Sequence, residues 1–418
     1  MSKTIIEKII TDHTSDNVAP GKIIWLDIDV RSARDFGGAN VVKNLEEHYP
    51  KESKIADPEK TFFTFDCVVP ANNLGYAENQ QIVRMFARKY LQRKNLYDVD
   101  AGIGSHVMIE KGIAIPNSTV VGTDSHLNIL GAIGAFGQGM GDQDIAFTFK
   151  TGKTWFEVPE STKITITGKP ARNSYAKDIT LGVLEQIGSK GALGKSIEFY
   201  GITVESLNLS GRITLASMVT EMGGIIGLIV PNDEVINYCR ERSNKEFKVH
   251  NADSDCEYSE KFTFDFSELE PRIALHPSPS NVKPVSEVAG VKIDSVVIAS
   301  CTNGRYEDFE VVAKILKGKK VHRDVMMKIV PATQEVYGQL LENGLIKIFY
   351  ESGAIISNPG CGGCASGQIG MTGEGEIQIS TGNRNFAGKQ GKGHTYLASP
   401  ATAAASAIKG EIFVPEIV

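Results

Sequence analysis

Short apolar, β-branched runs alternate with longer amphipathic ones along this chain. The strand-like runs are IIWLDIDV (23–30), TFFTFDCVV (61–69), STVVGTD (118–124), TKITITG (162–168), SVVIAS (295–300), MMKIVPA (326–332), AIISN (354–358) and EIQIS (376–380). Helix-period runs lie at NQQIVRMFARKYLQRKN (79–95), YEDFEVVAKILKG (306–318) and TQEVYGQLLENG (333–344). This alternation predicts an α/β chain whose parallel or mixed sheets are covered by helices. A first boundary is expected near WFEVPEST (155–162). A second falls at the Pro/Ser-rich HPSPSNVKPVSEVAG (276–290), read as a linker. Three domains follow, 1–159, 160–280 and 281–418, and 418 residues are ample for them.

The start, MSKTIIEKIITDHT, reads as a short amphipathic helix without the apolar core of a signal peptide. Apolar runs such as GGIIGLIVP (223–231) fall far short of the roughly 20 residues of a membrane span. A net charge of −6 gives no basic surface for nucleic acid or anionic membrane. Six cysteines in so long a chain are not a disulfide framework, which points to the reducing cytoplasm.

Three of those cysteines stand where a strand-like run meets a loop: Cys301 in SCTNGR, and Cys361 and Cys364 in NPGCGGC. Three thiolates can hold an iron–sulfur cluster and leave one metal corner open for substrate. A CxxC with a remote cysteine also suits zinc. Three features favour the cluster: Gly- and Asn-rich loops that let backbone approach a bulky group, their position after strands, and Arg305 and Arg384 nearby, which suit an anionic substrate. Cys301 should lie near a helix N-terminus, where the dipole lowers a thiol pKa. Further on, Ser399 as cap, Pro400 in the first turn and Gly410 at the end frame an Ala-rich structural helix. Cys239 and Cys256 read as incidental buried thiols.

Five motifs, in order, resemble the aconitase/isopropylmalate dehydratase superfamily over nearly the whole chain: VVGTDSH (120–126) with GAIGAFGQGMGDQDIA (131–146), SCTNGR (300–305), NPGCGGC (358–364), STGNRNFAGK (380–389) and YLASPATAAASAIKG (396–410). The resemblance implies three α/β domains around a central cleft and a [4Fe–4S] cluster on Cys301, Cys361 and Cys364 with one open iron. It implies reversible dehydration of a 2-hydroxy acid. Asp66, Asp124, His126 and Glu221 would carry acid–base work. Arg305, Arg384, Lys389, Asn383 and Ser125 would bind substrate, with Lys389 standing where the family usually has arginine.

The chain departs from the family pattern at four further places. Asp66-Cys67 replaces a usual Asp-His. Ser105-His106 replaces His-Gln, so His106 is the candidate for the displaced role. Arg34-Asp35 stands where His-Asp or Gln-Asp is common, and Ser217 replaces a frequent asparagine. No Gly-Ser-Ser-Arg-Glu segment bearing the catalytic serine is found. The expectation is therefore a large subunit whose serine arrives on a separate small subunit, acting on an isopropylmalate-like acid, with 2,3-dimethylmalate and homoaconitate chemistry as alternatives. A zinc enzyme and a cluster-free RNA-binding regulator are the competing classes.

Overall fold

The computed structural model describes residues 2–49, 55–91, 94–364 and 368–417. Among the described residues the strands form four sheets. The run 23–30, expected as one strand, is two. Ile23–Asp27 is buried on alternate residues and pairs antiparallel with Lys153–Glu157 in a surface ribbon, whereas Val30–Arg34 is buried almost throughout and enters a central sheet. Asp29 makes the break: its Oδ2 meets His13 Nε2 at 2.8 Å and accepts the Thr119 N–H at 3.1 Å, which turns the chain between two layers.

The first central sheet is wholly parallel, in the order Leu96–Tyr97, Thr61–Thr64, Val30–Arg34, Thr119–Gly122, Phe136–Gly139. A second parallel sheet runs Ile226–Ile229, Ser196–Tyr200, Ser161–Thr167, Glu260–Asp265. The third runs Val282–Pro284, Arg272–Ala274, His394–Ala398, Ile377–Ser380, Ser295–Ile298, Met326–Ile329, Ile355–Ile356. Its last five strands are parallel and its first two form an antiparallel edge. The Pro/Ser-rich stretch read as a linker holds a short strand, Val282–Pro284, paired with Arg272–Ala274 just before it, and a short helix, Val285–Val288, between turns. Edge strands tolerate the prolines that a central strand would not.

Helices form where the pattern placed them. Leu74–Tyr90 covers residues 79–90 of the first run and begins five residues before it, while Leu91 and residues 94–95 are not helical and 92–93 lie outside the described chain; Tyr306–Leu316 and Gln334–Glu342 match most of the others. Ile5–Asp12 buries Ile5, Ile6, Ile9 and Ile10 in the core beside Phe63 and Phe149. Each such side chain contributes about 1.5–3 kcal/mol by leaving water. Helix Pro400–Lys409 is capped by Ser399 and ends at Gly410, whose φ of +76° favours glycine. Among the described residues no helix is long and apolar enough to cross a membrane.

Two sheets reverse their winding in the middle, and that places the site. From Val30–Arg34 the chain fills one side of its sheet and returns to the other at Thr119–Gly122. From Ser295–Ile298 it does the same, returning at Ile377–Ser380. Ligand crevices open at such switch points, beyond the carboxyl ends of the strands. Arg34, Asp66 and Asp124 lie at the first, and Cys301, Asn383 and Arg384 at the second. Cross-contacts close one onto the other: Ile103 N–H donates to Ala332 O at 2.8 Å and Cys361 N–H to Asp66 O at 2.9 Å.

Candidate active site

The cysteine side is built on glycine and a strained serine. Gly362 has φ +59°, and a Cβ there would stand 2.7 Å from Ala299 Cβ, so the loop can pass only without a side chain. Ser300 adopts φ +86°, held by its hydroxyl on Asn383 Oδ1 at 2.7 Å and by the Thr302 N–H on Ser300 Oγ at 3.2 Å. Cys301 and Cys361 are buried with Ile103 and Ala332, and Cys364 packs against them. All six cysteines are free thiols. The lowered thiol pKa expected for Cys301 does not follow: burial pushes it well above the ordinary value, and Asp124 nearby adds to the shift.

Facing these thiols is a compact charged group. Arg34 Nε donates to Asp66 Oδ1 at 2.8 Å, Nη1 to Asp124 Oδ1 at 3.0 Å and Nη2 to Cys361 Sγ at 2.6 Å. Burial lifts the Asp66 carboxyl to about 6, against the opposing pull of Arg34. Asp124 stays below the ordinary range: burial acts to raise it, but Arg34 and His126 outweigh that. Beneath them Asp35 accepts the N–H groups of Asp66, Cys67 and Val68 at 3.1, 2.9 and 3.1 Å. Asp35, Asp66 and Cys67 bring three ligand-type atoms within 4.8 Å, yet these protein donors already occupy the two carboxylates. Cys67 itself is a buried thiol 3.4 Å from Asp66 Oδ1, its pKa driven well up by burial.

His126, Glu221 and Arg384 converge from three places in the chain. Glu221 Oε1 faces His126 Nε2 at 3.1 Å and accepts Arg384 Nε at 2.8 Å, while Ser125 Oγ lies 3.2 Å from His126 Nδ1. Lys389 is half-buried near Cys364 and has no carboxylate partner among the described residues.

Two expected site residues sit elsewhere than the motifs suggest. Arg305 starts helix Tyr306–Leu316, and its side chain turns to Glu110 and Glu307, both 3.9 Å away, outside the group around Cys361 and Arg384. At that distance neither contact is a hydrogen bond, and the buried Nε and Nη1 of Arg305 have no hydrogen-bond partner. His106 lies behind the Cys301 loop, its Nε2 2.9 Å from Cys301 O and its buried Nδ1 without a partner. Burial and then Arg305 push it down to about 3. It is a neutral imidazole at pH 7, donating from Nε2.

Sequence reasoning passed over Lys177. This buried lysine donates to Thr381 O at 3.1 Å and Gly382 O at 2.6 Å, pinning the loop that carries Asn383 and Arg384, and burial lowers it to about 7. No pattern singled it out, since helix Ala176–Ile187 also carries Asp178, Thr180, Glu185 and Gln186.

The model of the aconitase family (aconitate hydratase) matches residues 7–290 and 283–410. The chain belongs to the aconitase family. It is 42% identical to 3-isopropylmalate dehydratase large subunit 1 of Methanopyrus kandleri over 99% of each chain. It is 41% identical to a probable methanogen homoaconitase large subunit of Methanothermobacter thermautotrophicus, over 98% of this chain and 97% of that one. The 3-isopropylmalate dehydratase large subunit of Aquifex aeolicus is also 41% identical, over 100% and 98%. Aconitase X of Thermococcus kodakaraensis shares the fold: TM-score 0.51 at 13% identity, covering 85% and 84% of the two chains.

Aconitase-family membership implies a [4Fe–4S] cluster, and the residues here fit one. Three sulfurs surround a glycine cradle, the buried Asn383 Nδ2 has no partner, and Lys389, Arg34 and Arg384 act on Cys364 to favour its thiolate, against the larger raising effect of burial. Thiolates pressed into so dry a site need cationic compensation, which a metal supplies.

Proposed function

We propose that this chain is the large subunit of a [4Fe–4S] hydro-lyase of the 3-isopropylmalate dehydratase type, working in the cytoplasm with a small subunit that brings the catalytic serine. Cys301, Cys361 and Cys364 would hold the cluster, whose open iron supplies Lewis acidity to the substrate hydroxyl and a carboxylate.

The observation that carries the substrate reading is the allotment of cations. Arg34 is hydrogen-bonded to Asp66, Asp124 and Cys361, and Arg305 stands in ion pairs at 3.9 Å with Glu110 and Glu307. Arg384 gives its Nε to Glu221 Oε1 at 2.8 Å, which leaves its two Nη groups and Lys389 to meet carboxylates. Two such groups suit a dicarboxylate with an apolar branch better than citrate. Identity does not choose among substrates, since relatives named for isopropylmalate and for homoaconitase stand at 42% and 41%.

The other residues divide the acid–base work. Glu221 orients His126 and Arg384 through one oxygen, so proton carrier and carboxylate clamp are set together. Asp124 remains a carboxylate beside them. Asp66, near 6, can hold a proton close to working pH, which neither the Cys67 thiol nor the neutral His106 can deliver to a departing hydroxyl. His106 fixes the Cys301 loop instead, and Asn383 and Ser125 complete the polar lining.

The test is reconstitution. The chain purified without air should contain iron and sulfide, and should dehydrate little until a small subunit of roughly 160–200 residues, the size of one domain, is added. The complex should then act on 3-isopropylmalate or 2,3-dimethylmalate in preference to citrate or homocitrate. Full activity without a partner, or citrate as the best substrate, overturns this reading.

A further inference from the structure

Arg34 is the departure from the family pattern with the most contacts. Its side chain is only 12% exposed, yet it touches three anionic or potentially anionic groups from two switch points. The three candidate ligand sulfurs are not alike in this respect. Cys361 Sγ receives a guanidinium N–H at 2.6 Å, whereas the hydrogen-bond partners of Cys301 Sγ are neutral, Asn383 Oδ1 at 3.5 Å and Ser300 Oγ at 3.9 Å, and the charge acting on it most strongly is the Asp124 carboxylate. A guanidinium keeps its proton in proteins, so this donor is permanent. Hydrogen bonds to cluster sulfurs and nearby charge set reduction potential and ligand strength.

We propose that Arg34 is a positioning residue that acts through Cys361. It draws electron density from one ligating sulfur while its remaining N–H groups hold Asp66 and Asp124 in fixed orientation beside it. The histidine or glutamine common at this place brings no permanent charge. Arg34 thereby makes the cluster easier to reduce and less generously donated to, which strengthens the Lewis acid that the reaction uses. The inference rests on the proposed ligation by Cys361.

The experiment measures the reduction potential of the reconstituted two-subunit complex by spectroscopic titration, in the wild type, Arg34→Gln and Arg34→Lys, with iron content and kinetics recorded on the same samples. Arg34→Gln should shift the potential negative and lower kcat with little change in KM. Arg34→Lys keeps the charge but cannot span all three partners, and should fall between. A purely structural clamp would leave the potential of loaded protein unmoved, so both variants at the wild-type potential with full iron overturn the proposal. If Arg34→Gln takes up no iron, Arg34→Lys decides alone, and a wild-type potential there overturns it. If neither variant loads while both fold, Arg34 serves cluster assembly and the proposal fails. A wild-type protein without any cluster would instead sink the reading on which this rests.

Discussion

His126 Nε2 stands 3.1 Å from Glu221 Oε1, although 95 positions separate the two residues. The histidine follows the strand Thr119–Gly122 of one sheet, and the glutamate lies in the helical turn Met218–Met222, beside a strand of another. Because the same oxygen also takes Arg384 Nε at 2.8 Å, substitution should disturb proton transfer and carboxylate binding together. Glu221→Gln preserves shape and removes the charge. It should lower kcat by about 10²–10⁴-fold and raise KM, measured in the reconstituted complex. A variant that changed KM alone would restrict Glu221 to binding.

Serine at Cys301, Cys361 or Cys364 should each remove most iron and sulfide while leaving circular dichroism unchanged, because these sulfurs pack in a small cluster with Ile103 and Ala332 and belong to none of the four large cores. Cys239→Ser and Cys256→Ser should keep full iron content. Iron retained after Cys361→Ser, or lost after Cys239→Ser, contradicts the ligand set.

Asp308 gives a pH prediction. Burial raises its carboxyl to about 7 from an ordinary 3.8, despite hydrogen bonds from Asn303 and the Arg305 N–H. The folded state thus holds a proton that the unfolded chain releases. This contribution to stability is complete below about pH 4 and is lost as pH rises through 7. Melting curves from pH 5 to 8 should show a smaller decline for Asp308→Asn than for the wild type. Parallel curves would assign the decline to other groups.

Ser399→Ala should cost about 0.5–2 kcal/mol. The hydroxyl accepts the Thr402 N–H at 3.4 Å at the start of a helix whose residues Pro400–Ala407 are all buried, so water cannot replace it. Denaturant midpoints measure the loss, and an unchanged midpoint would show that the cap is idle.

Local pattern was legible wherever neighbours in sequence determine conformation. The helix beginning at Tyr306, the capped helix from Pro400 and the parallel strands before Cys301 follow from periodicity, caps and apolar runs. Strands such as Arg272–Ala274 and Phe136–Gly139 escaped notice because they are short and owe their pairing to distant partners. The run 23–30 misled because a single apolar stretch serves two layers once Asp29 bends it.

The sequence by itself determined the α/β class, the motifs that mark the family, and which side chains were available for chemistry, since composition and short-range spacing encode these. The tertiary structure alone decided which of those side chains meet. It turned Arg305 away to Glu110, drew Arg34 onto Cys361, set His106 behind the Cys301 carbonyl as a neutral ring, and drove Lys177 under the Arg384 loop. The physical reason is that burial, charge pairing and hydrogen bonding act through space between groups tens to hundreds of residues apart. A motif fixes a residue's identity, but the direction of its side chain depends on how two sheets close on each other.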